Sequence, residues 1–102
     1  MKNKIQLNKI YNEDCLDTMK RMKSNSIDLT VTSPPYDDLR SYKGYKFEFK
    51  KIARELFRVT KEGGVVVWVV NDQKVYGSET GTSFRQALYF KKIGFNIHDT
   101  MI

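Results

Sequence analysis

The sequence is poor in the residues that staple, bend or ligate. Its 102 residues include one cysteine, two prolines and one histidine. A single thiol, Cys15, excludes an internal disulfide and fits a reducing compartment, expected here to be the cytoplasm. His98 has no metal-ligating partners near it in sequence, so no metal centre is expected. The longest apolar run, Val65 to Val70, is far too short to cross a bilayer. The segment Met1-Lys2-Asn3-Lys4-Ile5 lacks the apolar core of a signal peptide, so no membrane partner is expected. Repeats, low-complexity tracts and Pro/Gly/Ser-rich linkers are absent as well.

Acidic residues are outnumbered. Lys and Arg total 18 against 12 Asp and Glu, a net charge of +6. Such a balance favours a polyanionic partner such as nucleic acid, and a merely solvated basic surface gives the same count. Hydrophobic residues make up 40% and aromatics 13%, enough for a real core rather than a disordered chain. The length fits one small domain, residues 1–102, or part of a larger one.

The order of elements reads as strand and helix in alternation. Ile5 to Tyr11 alternates well enough for a modest strand, and Asp14 is placed to cap a short helix carrying Leu16, Met19 and Met22. Ser24-Asn25-Ser26 breaks that helix before a second strand, Ile27 to Thr32. A helix is expected from about Lys46 to Thr60, with Phe49, Ile52, Ala53, Leu56 and Phe57 at helical spacing and a Lys51–Glu55 pair on its solvent face. Gly63-Gly64 then leads into Val65 to Val70, apolar at every position, as expected of a strand buried on both faces. A polar loop from Asn71 to Gly81 precedes a helix marked by Phe84, Ala87 and Leu88 and closed by Gly94. A last strand is expected to begin at Phe95. The fold class is α/β with a mostly parallel sheet.

Both prolines fall together, and they fall at a strand end. Thr32-Ser33-Pro34-Pro35-Tyr36 follows directly on the second strand. Two prolines stop sheet and helix alike and fix φ at about −65°. Ser33 thus leaves the strand on a stiff loop, its hydroxyl and the nearby carbonyls aimed one way and an aromatic ring just beyond. Rigid acceptors beside a stacking surface suit a flat ring that carries an amine. A turn that merely ends a strand would use similar residues.

A strand ending in Ser33-Pro34-Pro35-Tyr36 resembles the catalytic motif of the amino-group DNA methyltransferases, which methylate cytosine N4 or adenine N6 from S-adenosylmethionine. Tyr11-Asn12-Glu13-Asp14-Cys15-Leu16, Asn25-Ser26-Ile27-Asp28-Leu29 and Glu55 to Gly64 follow the family's order and spacing. Tyr36 to Tyr42 is similar to the loop of one bacterial and phage subgroup.

The resemblance implies a Rossmann-like methyltransferase fold, with helices on both faces of its sheet, and a site built on four residues. Ser33 and the carbonyl of Pro34 would accept from the target amine, Pro35 would stiffen the loop, and Tyr36 would stack on a base flipped out of double-stranded DNA. Asp14 and Cys15 fall where the family contacts the adenine end of the cofactor, with a plain helix cap as the other reading of Asp14. No metal and no covalent thiol adduct are implied, so Cys15 is not expected to be a nucleophile. Ser at the first motif position favours cytosine N4 over adenine N6. Glu13 departs from the family's usual glycine and Glu62 from its usual proline.

Only the first part of the family's pattern is present. The Phe-x-Gly-x-Gly segment that wraps the methionine end of the cofactor has no counterpart, nor does the target-recognition region. The resemblance implies a strand order of 3-2-1-4-5-7-6, in which only Ile27–Thr32 and Val65–Val70 would be neighbours among the strands expected here. The chain alone is then expected to be inactive, to expose unpaired edges, and to need a complementary chain that carries the missing segment. The competing expectation is an inactive remnant that binds DNA through its basic surface or acts as an interaction module. A third keeps the enzyme class with an RNA or protein amide as substrate, which Ser33 argues against.

Overall fold

The computed structural model describes residues 5–34, 48–70, 74–75, 77–79 and 81–98. Seven elements follow one another: α1 (Cys15–Lys20), β1 (Ile27–Thr32), α2 (Phe49–Val59), β2 (Thr60–Trp68), β3 (Lys74–Val75), β4 (Ser78–Glu79) and α3 (Thr82–Ile93). β1 pairs with β2 in parallel, with Leu29 opposite Val65 and Thr32 opposite Trp68. The two strands expected to be neighbours are therefore neighbours, and β1 has the bounds read from the sequence. β2 begins earlier than expected, because Thr60 already lies opposite Ile27 and the ladder is irregular between Ile27 and Leu29. Gly63, at φ 84°, sits in that irregular stretch.

Each helix has a local cause. Asp14 caps α1, its side chain accepting from the Leu16 N–H at 2.9 Å. α2 stops at Val59 rather than Thr60, and the buried Thr60 hydroxyl donates 2.6 Å back to the Leu56 carbonyl. The expected Lys51–Glu55 pair does not form. Lys51 pairs with Glu48 at 3.1 Å, and Glu55 with Arg58 at 2.9 Å. α3 ends at Gly94, whose φ of 132° suits glycine; the Gly94 N–H bonds the Lys91 carbonyl and the Phe95 N–H the Phe90 carbonyl. The Phe90 and Phe95 rings meet at 5.5 Å, the apolar contact that accompanies such an ending. The stretch expected to be one polar loop contains a small antiparallel hairpin, β3 with β4, turning at Gly77 with φ 77°.

The core lies on one face of the β1–β2 sheet. Met19, Ile52, Ala53, Leu56, Val59 and Phe90 are buried, and Val66 and Trp68 pack against them from β2. Burial of each large side chain contributes about 1.5–3 kcal/mol. Phe49, Trp68 and Phe90 meet edge to face, and the Trp68 indole N–H donates 2.9 Å to the Gln86 amide oxygen, joining β2 to α3. The other face is open. Leu29, Val31, Val65 and Val69 are 59%, 65%, 52% and 47% exposed, so β2 is buried on one face and not on both.

Two expected strands do not form among the described residues. Residues 5–11 are irregular, with Leu7 90% and Ile10 94% exposed, and Asn8 takes φ 59°. Residues 95–98 of the strand expected over Phe95 to Ile102 are also irregular, with Ile97 45% exposed, and residues 99–102 lie outside the described residues. A strand is stabilised by the strand beside it, and neither segment has one among the described residues.

Candidate functional site

The elements converge on the carboxyl end of β1. The ladder runs to its last residue, where the Val69 N–H donates 2.9 Å to the Thr32 carbonyl. Ser33 follows, exposed, and Pro34 is buried. Open α/β sheets bind their ligands at this end of the strands. Pro35 and Tyr36, the other two motif residues, lie outside the described residues.

A groove of about 690 Å³ runs along the side of β1 that β2 does not occupy. Ser33 and Pro34 line it together with Cys15, so it joins the two regions singled out in the sequence. Its floor is apolar, from Met19 on α1, Met22 just after it, and Ile52 and Leu56 on α2. Asp14 is not among the lining residues; its carboxylate is turned to the α1 cap. The cap, one of its two compatible readings, is formed.

Tyr11 and Glu13 also line the groove, and the motif comparison did not single them out as functional. Arg21 and Lys9 lie over the Tyr11 ring at 5.4 and 5.5 Å from its centroid. Glu13 accepts 2.7 Å bonds from the Thr18 hydroxyl and from Arg21 Nη1. The Arg21 bond is the main cause that holds the Glu13 carboxyl below the usual carboxylate range. Arg21 Nε is buried with no hydrogen-bond partner. The usable signal was the Tyr11–Asp14 run itself, with an acidic residue in place of a glycine and an arginine eight positions on.

The Cys15 thiol is pushed up, first by burial and then by the charge of Asp14. A thiol shifted that way is a poor nucleophile at neutral pH. No group of three or more metal-ligating side chains occurs among the described residues, and no described helix is long and apolar enough to cross a membrane. His98 is exposed.

Residues 27–102 match the model of the N6 and N4 DNA methylases. Over 85 residues the chain is 72% identical to the orphan methyltransferase M.BamHII of Bacillus amyloliquefaciens, covering 79% of this chain and 32% of that protein. It is 38% identical over 73 residues to the type II methyltransferase M.BglII of Bacillus subtilis, covering 66% of this chain and 20% of that one. The type II methyltransferase M.MthZI of Methanothermobacter thermautotrophicus is 34% identical over 89 residues, or 63% and 25% of the two lengths. The chain thus spans a third or less of these relatives. No solved structure matches it.

Proposed function

Because this chain belongs to the DNA methylase family of N6 and N4 amino-group enzymes, we propose that it forms the target-gripping side of a DNA methyltransferase active site. The observation that carries the reading is the groove shared by Ser33, Pro34 and Cys15 at the carboxyl end of β1. Ser33 and the Pro34 carbonyl accept hydrogen bonds from the exocyclic amine of a flipped base. An amine conjugated with its ring is a weak nucleophile, and acceptors around the nitrogen favour a pyramidal geometry with its lone pair exposed. They also stabilise the positive charge that grows on nitrogen as it forms the new C–N bond. The prolines hold the acceptors in place, and Tyr36 stacks on the base.

S-adenosylmethionine, when bound, supplies an electrophilic methyl group on a sulfonium. The described residues fit one end of it: apolar walls suit a flat adenine, and the Glu13 carboxylate suits hydroxyl donors. Cys15 and Asp14 lie beside that end. No glycine lines the groove among the described residues, so nothing there resembles a loop that wraps the methionine end. The complementary polypeptide would bring it, completing a Rossmann-like domain. Ser33 favours cytosine N4 as target over adenine N6. The type II names of several relatives support a restriction–modification setting.

The test is a chimera in which this chain replaces the matched segment of M.BamHII. Labelled methyl transfer to DNA, followed by nucleoside analysis, is expected to yield N4-methylcytosine. Ser33→Ala should lower kcat by about 10²–10³-fold with donor binding retained. Full activity of a Ser33→Ala, Tyr36→Ala chimera would sink the assignment.

A further inference from the structure

Arg21 is not among the residues that line the groove, yet it holds two that are. Its Nη1 donates 2.7 Å to Glu13 Oε2, and its guanidinium lies 5.4 Å from the centroid of the Tyr11 ring. Glu13 stands two places before α1 and Arg21 directly after it, so their bond straps the helix from end to end. With six residues α1 is too short to hold its shape unaided, and its Cys15, Thr18 and Met19 line the same groove. The strap therefore fixes a groove wall as well as a helix.

Glu13 is tied through one oxygen. The bonds from Thr18 and from Arg21 both end on Oε2, and among the described residues Oε1 accepts none. The carboxyl is held below the usual range, chiefly by the Arg21 bond, so it is ionised at neutral pH. An ion pair near the surface adds little to stability, and this one leaves Arg21 Nε buried without a partner. Stability alone does not account for such an arrangement. Holding an acceptor in one geometry does.

We propose, on the reading above, that Arg21 is a positioning residue for donor binding, holding Glu13 so that Oε1 accepts from the vicinal ribose hydroxyls of the donor. Glycine, the usual residue of the family where Glu13 stands, offers no such acceptor. An ionised acceptor bonds a hydroxyl more strongly than a neutral one, and fixing it beforehand reduces the freedom lost on binding. Tyr11, beneath the same guanidinium, forms the adjoining wall. Arg21 acts through these two residues and touches neither donor nor base.

The experiment measures, by calorimetry, binding of S-adenosylhomocysteine and of its 2′,3′-dideoxy analogue to the M.BamHII chimera. Arg21→Met should weaken S-adenosylhomocysteine by about tenfold and leave the dideoxy analogue within about twofold of its wild-type affinity. Glu13→Gln should show the same selective loss. Arg21→Lys should recover part of it, since an ammonium restores a charged bond without the planar fork. In methyl transfer by Arg21→Met, the donor KM should rise while kcat at saturating donor holds. A merely structural Arg21 would weaken both ligands alike, and that result would overturn the proposal. Unchanged affinity for S-adenosylhomocysteine in Arg21→Met or in Glu13→Gln would overturn it too. Full activity of the Ser33→Ala, Tyr36→Ala chimera would sink the catalytic assignment without altering these affinities, so the two failures are distinct.

Discussion

Arg58 Nη2 donates a 2.6 Å hydrogen bond to the Met19 carbonyl, and that contact ties the end of α1 to α2. Nη1 adds bonds of 2.9 Å to the Met22 carbonyl and 3.2 Å to the Ser24 hydroxyl. Beyond them, the Asn25 and Ser26 N–H groups donate to the Arg58 and Val59 carbonyls, which delivers the chain into β1. Replacing Arg58 by Met should cost about 1–3 kcal/mol, because partly buried carbonyls lose charged donors. Arg58→Lys should recover only part of this, since one ammonium cannot span both carbonyls and Glu55. Urea titration is expected to show a lower midpoint at an unchanged slope.

Glu55 makes the same cluster sensitive to acid. Its carboxyl is held below the usual carboxylate range, chiefly by the hydrogen bonds from Arg58, against an opposing push from burial. A carboxylate lowered on folding adds stability that is full above its unfolded pKa and is lost as pH falls through the folded value. Stability of the wild-type chain should therefore fall between about pH 6 and about pH 3 more steeply than that of Glu55→Gln. Equal slopes in denaturation curves across that window would show that the pair contributes nothing. Glu13 is shifted the same way by Arg21 and predicts the same sign at the α1 end.

At Gly94 two constraints coincide. Its φ is 132°, and an added Cβ would come within 2.5 Å of Phe57 Cζ. At Gly63 the φ of 84° is also positive, yet an added Cβ would meet nothing within 4 Å. Gly63→Ala should cost about 1–2 kcal/mol from backbone strain alone. Gly94→Ala should cost clearly more, and Phe57→Leu in the same chain should restore part of the difference. Thermal melts of the three variants check this; equal losses at both glycines would mean that the Phe57 ring yields freely.

The sequence made local features legible and misled wherever a neighbour decides the structure. Asp14 before Cys15 and Gly94 after Ile93 are chemical signals that act within one turn, and both ends form as read. β1 keeps its bounds because Ser24-Asn25-Ser26 and Pro34 limit it from either side. Ile5 to Tyr11 has a strand's alternation but, among the described residues, no strand beside it, so its pattern goes unused. Val65 to Val70 is apolar throughout, which describes a strand destined for two covered faces; only one is covered here. Arg58 and Gln86 were not identified because their partners lie 39 and 18 residues away. Of the candidate site, Ser33, Pro34 and Cys15 come together in one groove, whereas Asp14 turns to its cap.

The position of Cys15 separates two chemistries. It lines the groove with Ser33, so a thiol attack on a base is geometrically conceivable. Burial and the Asp14 charge push the thiol up, which keeps it protonated at neutral pH and slows both nucleophilic attack and alkylation. Cys15→Ser in the chimera should therefore preserve kcat, while the donor KM rises by less than about tenfold from altered contacts in the groove. Although Cys15 is exposed, iodoacetamide should modify it more slowly than a cysteine whose thiol is not pushed up, at the same pH. Loss of kcat in Cys15→Ser, together with a covalent enzyme–DNA species that disappears in the variant, would transfer the chemistry from the Ser33 amine acceptors to the thiol.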